Sequence, residues 1–271
     1  MTQGSPPAPA GRIADAFARA RAGGRPALIP YITAGDPDLG SSHALVLALA
    51  RGGADLIELG VPFSDPIADG PINQRAAERA LRNGTTLPDV IALAGKLARV
   101  GAPPLVLFTY YNPIHRMGLA AFAAAAREAG VAGVLVTDLP PEEAGPLRAA
   151  LDGSGVDLIY LLAPTSAPER IALVAREARG FLYFISRTGV TGVRDALPPG
   201  LEEQVRRVRA ATALPVAVGF GISEPKQVRE VAAFADGVVV GSALVRLIEE
   251  AGAAPDLPQR VEDFCRRLAE R

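Results

Sequence analysis

Among the 271 residues there are one cysteine, two histidines and two lysines, so the sequence is poor in the side chains on which much enzyme chemistry depends. A lone cysteine, Cys265, excludes an intrachain disulfide. Its helical spacing with Val261, Phe264 and Leu268 marks it as core-facing, which fits a reducing cytoplasm. Lys96 and Lys226 both fall in helical segments, so neither ends a strand where a Schiff-base lysine would stand. His43 lies on an apolar helix face and His115 stands apart, which leaves no ligand set for zinc; both read as packing or surface residues and no metal is expected. No GxGxxG fingerprint follows the first apolar run, so a dinucleotide cofactor is not indicated.

Neither sign of charge dominates: 28 Lys+Arg stand against 29 Asp+Glu, for a net charge of −1. Without a basic stripe there is nothing to neutralise a polyphosphate backbone, and nucleic acid is not an expected partner. Long hydrophobic runs are missing too. Residues 119–126 form one of the longest and end at charged positions, well short of the ~20 residues that cross a bilayer. Residues 1–11 carry no charged side chain and no apolar run, so they resemble neither a signal peptide nor a basic transit peptide and read as a disordered tail. A soluble, cytoplasmic protein with no membrane partner is expected.

What the sequence does contain is a regular alternation. Short apolar runs rich in β-branched residues occur at 27–33, 55–60, 105–110, 133–137, 157–162, 181–186, 215–219 and 237–241. Longer stretches of helical period lie between them, for example 42–51, 119–129 and 225–234. Such alternation denotes a parallel sheet with crossover helices, and no Gly/Ser-rich or Pro-rich linker interrupts it. Eight β-α units in about 250 residues match a closed (β/α)8 barrel of the TIM type, whereas an open doubly wound sheet usually has fewer strands. The expectation is a single α/β barrel domain over residues 12–271. Residues 13–21 would form an extra amphipathic helix covering its bottom.

In such a barrel the chemistry sits on the loops after the strands, so residues where apolar runs end are the informative ones. Glu58 stands near the end of the second run, in register with Leu56 on what would be the interior face. It is either paired with one of the many arginines or used chemically. Asp65 and Asp69 follow on a Pro- and Gly-bounded loop, where aspartate also serves as a plain turn residue. Glu58 and Asp69 together could bring two carboxylates to one pocket, as general acid/base catalysis requires. Late in the chain, residues 186–192, 219–223 and Gly241-Ser242 strip three neighbouring strand ends of bulk. Each glycine alone also reads as a turn former. Together with a helix starting at Ser242, they suit a phosphate held by main-chain N–H groups. What remains is cofactor-free acid/base chemistry on a phosphorylated small molecule.

The run Glu58-Leu59-Gly60-Val61-Pro62-Phe63-Ser64-Asp65-Pro66, followed by Ala68-Asp69-Gly70-Pro71, resembles the signature of tryptophan synthase alpha subunits. The similarity continues, in family order, through 33–37, 110–113, 137–140, 186–192, 219–223 and 241–242. One departure is Ile72-Asn73-Gln74, where the family commonly has an aliphatic residue before the glutamine; only local loop packing is expected to change. The resemblance implies a lyase that cleaves indole-3-glycerol phosphate to indole and glyceraldehyde 3-phosphate. Glu58 would shuttle the proton of the glycerol hydroxyl, and Asp69 would stabilise positive charge at the indole nitrogen. It further implies phosphate binding by main chain at Gly192, Phe220, Gly221 and Gly241 with Ser242, and indole packing on Tyr31 and Tyr183. Residues 186–192 would close over the site, Thr191 meeting Asp69 and Arg187 holding the closed state. Pro62 and Asp65 would face a beta subunit in an alpha2beta2 heterotetramer. The pyridoxal phosphate of the second reaction would belong to that subunit, leaving this chain without a cofactor.

Overall fold

A computed structural model describes residues 11–185, 197–219 and 221–270. Eight parallel strands close in sequence order into a barrel: β1 (Ala27–Thr33), β2 (Ile57–Gly60), β3 (Leu105–Thr109), β4 (Gly133–Val136), β5 (Asp157–Leu162), β6 (Leu182–Ile185), β7 (Val216–Gly219) and β8 (Gly237–Val240). Closure is made by β8 beside β1, where Ala27 pairs with Gly237 and Pro30 with Val240.

The helices precede and follow the strands as α1 (Arg12–Ala22), α2 (Leu39–Arg51), α3 (Pro71–Arg82), α4 (Leu87–Arg99), α5 (Tyr111–Met117) and α6 (Leu119–Glu128). The second half adds α7 (Gly145–Leu151), α8 (Pro168–Glu177), α9 (Leu201–Ala210), α10 (Pro225–Ala232), α11 (Ser242–Ala251) and α12 (Leu257–Ala269). Local chemistry sets their starts. The Asp38 carboxylate accepts the Ser41 N–H at 2.8 Å at the head of α2, and Asp89 accepts the Thr86 N–H at 3.0 Å in the capping box of α4. Proline stands in the first turn of α3, α4, α7, α8, α10 and α12, where its missing N–H costs no hydrogen bond. No helix among the described residues is long and apolar enough to cross a membrane.

Side chains alternate across the strands. Leu28, Ile32, Ile57, Leu59, Leu105 and Leu107 face outward into the layer shared with the helices, and Cys265 of α12 lies in that layer as its spacing predicts. Ala27, Ile29, Leu56, Val106, Leu135, Ile159, Phe181, Ala217 and Val239 face the barrel interior. The expected extra helix is α1, and it closes the N-terminal end of the strands. Ile13 and Phe17 join the interior cluster, with the Phe17 and Phe181 rings 5.5 Å apart. A Cβ at Gly237 would lie 2.8 Å from the Phe17 ring, so a side chain there would displace the plug. With the bottom sealed, the opposite rim is the open end.

Arg79 of α3 ties that rim together. Its guanidinium donates to both Asp36 carboxylate oxygens at 2.8 Å and to Glu249 of α11 at 2.7 Å, and Arg75 donates to Glu249 as well. The helix that begins just after Asp69 is thereby strapped to the loop after β1 and to the helix that begins at Ser242.

Truncating the plug tests this packing. Phe17→Ala is expected to lower the free energy of urea unfolding by about 3–5 kcal/mol, the usual cost of emptying a buried phenylalanine site. An unchanged unfolding midpoint would show that α1 does not seal the barrel.

Candidate active site

β2 delivers Glu58 to the interior of the barrel, in direct register with Tyr31 on β1 and Val106 on β3. Its carboxyl is 1% exposed, and Oε1 has no hydrogen-bond partner among the described residues. The arginine pairing open from sequence is absent among the described residues; burial alone acts on the group and pushes its pKa from 4.5 to about 8.

Asp69 reaches the same rim from the loop after β2. Its Oδ2 accepts the Tyr110 hydroxyl at 2.8 Å. Burial raises its pKa, and the nearby Tyr110 and Asn73 side chains oppose the rise. Tyr110, at the end of β3, accepts the Ala68 N–H at 3.0 Å and stacks on Phe63 with ring centroids 4.9 Å apart, so the loop is gripped on both sides of Asp69. Gln74 adds a bond of 2.9 Å from Nε2 to the Asp69 main-chain oxygen.

Two tyrosines complete the described walls. Tyr31 packs edge-on against Phe108 at 5.4 Å, and its hydroxyl lies 3.3 Å from Thr33 Oγ1. Burial raises the Tyr31 pKa, and the negative charges of Asp69 and Glu58 raise it further, so both carboxylates act on one hydroxyl. Tyr183 on β6 is raised by burial first and then by Glu58. Only glycine leaves room for these rings: a Cβ at Gly60 would sit 2.1 Å from the Tyr31 hydroxyl, and one at Gly219 2.4 Å from that of Tyr183.

Beyond β8, which adjoins β1, α11 begins at Ser242, directly after Gly241. Ser242 is buried, and the first N–H groups of the helix have no intrahelical acceptor, so they and the positive end of the helix dipole can hold an anion. Gly221 follows β7 at φ +85°. Phe220, Arg187, Thr191 and Gly192 lie outside the described residues, as do residues 1–10 of the expected tail. On the loop after β2, Pro62 is buried whereas Asp65 is exposed, beside Ile67 at 86% exposure. A groove of about 590 Å³ runs there between residues 63–67 and α3.

Two site residues escaped the sequence reading. Tyr110 was visible only as part of a family motif, and Asn73 only as a departure thought to alter loop packing. The available signal for Asn73 was its spacing, four residues after Asp69 at the start of a helix.

The profile of the tryptophan synthase alpha chain family matches residues 17–270. This chain belongs to the tryptophan synthase alpha chain family. It is 53% identical to the tryptophan synthase alpha chain of Geobacter sp. (strain M21) over 248 residues, 92% of this chain and 93% of that one. With the alpha chain of Geobacter sulfurreducens the identity is 52% over 259 residues, 96% of this chain and 98% of that one. Among solved structures, Mycobacterium tuberculosis tryptophan synthase aligns with a TM-score of 0.88 and 41% identity over 96% of this chain and 97% of that chain. Tryptophan synthase subunit alpha from Legionella pneumophila aligns at 0.87 and 39% over 96% and 97%. Alpha chains are carbon–carbon lyases of tryptophan biosynthesis that cleave indole-3-glycerol phosphate without a cofactor; the pyridoxal phosphate belongs to the beta subunit with which they work.

The buried Glu58 carboxyl has a measurable consequence for stability. Because its folded pKa exceeds its unfolded value, native Glu58 keeps a proton that the unfolded chain releases, and stability is lost as pH rises from 4.5 to about 8. Glu58→Gln has no charge to bury, so its thermal midpoint should exceed that of the wild type at pH 9 and approach it at pH 4.5. Equal midpoints at pH 9 would mean that Glu58 is solvated or paired.

Proposed function

We propose that Glu58 and Asp69 are the catalytic pair that cleaves indole-3-glycerol phosphate in this chain. The observation that carries the reading is a buried Glu58 carboxyl, without a partner among the described residues, sharing one rim with Asp69. With a pKa near 8, Glu58 enters the reaction protonated at neutral pH. It gives its proton to indole C3, and the ring nitrogen takes up the positive charge beside the ionised Asp69. The resulting Glu58 carboxylate then removes the glycerol hydroxyl proton. The O–H electrons form the aldehyde carbonyl, the C–C electrons return to the ring, and neutral indole leaves as Glu58 regains its proton. The substrate's own iminium replaces the electron sink that a lysine or a metal supplies elsewhere.

The supporting parts follow the same reading. Tyr31 and Tyr183 face the indole ring, while Gly192, Phe220, Gly221, Gly241 and Ser242 hold the phosphate. Thr191 and Arg187 belong to the closing segment. Pro62 and Asp65 contribute to the face turned toward the beta subunit in an alpha2beta2 assembly, with residues 12–271 acting as one unit in the cytoplasm.

Incubation with indole-3-glycerol phosphate, with and without a beta subunit, should release indole. Glu58→Gln should lower kcat by about a thousandfold, within the range for loss of a general acid/base; near-normal turnover would remove Glu58 from the chemistry. Asp69→Asn should lose most turnover while retaining affinity for glycerol 3-phosphate, and parallel loss of binding would make it a substrate-positioning group instead. In the wild type kcat/KM should fall as pH rises through about 8, where the free enzyme surrenders the Glu58 proton.

A further inference from the structure

One guanidinium joins three segments of the rim. Arg79 of α3 donates from Nε and Nη2 to the two carboxylate oxygens of Asp36, both at 2.8 Å, and from Nη1 to Glu249 of α11 at 2.7 Å. Asp36 is 2% exposed, so this two-pronged pair is held out of water, and its planar geometry fixes orientation as well as distance. Arg75, one turn earlier on α3, donates to both oxygens of Glu249 at 2.7 Å.

Each of the three segments carries one contact that the proposed substrate needs. The Asp36 loop continues β1, whose Tyr31 walls the ring seat; α3 follows closely on Asp69; and α11 opens at Ser242, where an anion can be received. A small apolar cluster repeats the same connection. Tyr31 of β1, Ile72 and Ala76 of α3 and Val245 of α11 pack together, apart from the two main layers of the core. Ile72 stands three positions after Asp69 and Val245 three positions after Ser242, so movement of either helix start disturbs this cluster.

We propose that Arg79 is a positioning residue that fixes the span between the phosphate seat and the ring seat, so that both halves of one substrate engage together. The inference rests on the seats assigned above. Arg79 acts through Asp36 and Glu249 rather than on the substrate. Joined halves gain affinity over separate ones only when the protein holds their seats at the matching distance; otherwise one half is engaged at the expense of the other.

The test uses Glu249→Met, which releases α11 while leaving the buried Arg79 and Asp36 pair intact, and Arg79→Met, which cuts both arms. Arg79→Met strands a buried carboxylate and endangers the fold, so Glu249→Met carries the comparison. Three ligands are titrated by calorimetry: glycerol 3-phosphate, indole, and indole-3-propanol phosphate, which joins both halves but lacks the hydroxyls that cleavage requires. In Glu249→Met the separate halves should bind within about twofold of wild type, whereas affinity for the joined ligand and kcat/KM for indole-3-glycerol phosphate should each fall about tenfold, an ordinary size for coupling between two sites. Arg75→Met leaves both arms of Arg79 in place and should match the wild type. Wild-type affinity of Glu249→Met for the joined ligand would overturn the proposal. So would an equal weakening of the separate halves, the mark of general loosening, or an equal loss in Arg75→Met. Absence of indole release by the wild type would instead refute the proposed function, with the binding comparison still deciding the role of Arg79.

Discussion

A carboxylic acid buried at the mouth of a closed barrel, with no counter-ion among the described residues, is the constraint on which the rest of this structure depends. Charging Glu58 in that setting is costly, so burial pushes its pKa to about 8 and keeps it neutral near pH 7, as the proposed acid that becomes a base once its proton has gone requires. An arginine beside it would have stabilised the fold and removed the acid. The described surroundings instead offer tyrosine rings, valine and glycine, which exclude water without neutralising charge.

The architecture keeps that environment dry and open at one end only. The α1 helix seals the strand starts with Ile13 and Phe17, so access to Glu58 is from the C-terminal rim. There Gly60 and Gly219 allow the Tyr31 and Tyr183 rings to lie over the barrel, and Arg79 binds the base of α3 to α11. Asp69 and Ser242 thus project from two helix starts that cannot drift apart independently. One start supports a carboxylate and the other can receive an anion, which in the proposed reaction gives the phosphate and the reacting ring separate seats on a common frame.

Most of the fold was legible because the barrel repeats one pattern eight times. β1 and β5 have the bounds their apolar runs suggested; β2 and β7 begin one to two residues later than their runs, β6 begins one residue later, and β3, β4 and β8 end one residue earlier. The interior position of Glu58 followed from its register with Leu56. Its lack of a partner among the described residues did not, because any of the 28 basic residues could have reached it until the sheet closed. The role of Tyr110 was hidden for a related reason: its hydroxyl meets Asp69 across 41 positions of chain, a contact no local spacing encodes. Asn73 was closer to view, but whether its side chain turns inward to Asp69 or outward to solvent depends on how α3 docks.

Direct titration of the Glu58 side-chain carboxyl in the free protein, by carbon-13 NMR of selectively labelled glutamate assigned by loss of the signal in Glu58→Gln, bears most immediately on this account. A midpoint near 8 is predicted. A midpoint in the ordinary range near 4.5 would mean that Glu58 is ionised at neutral pH, and would contradict both its isolation and its part as the first proton donor.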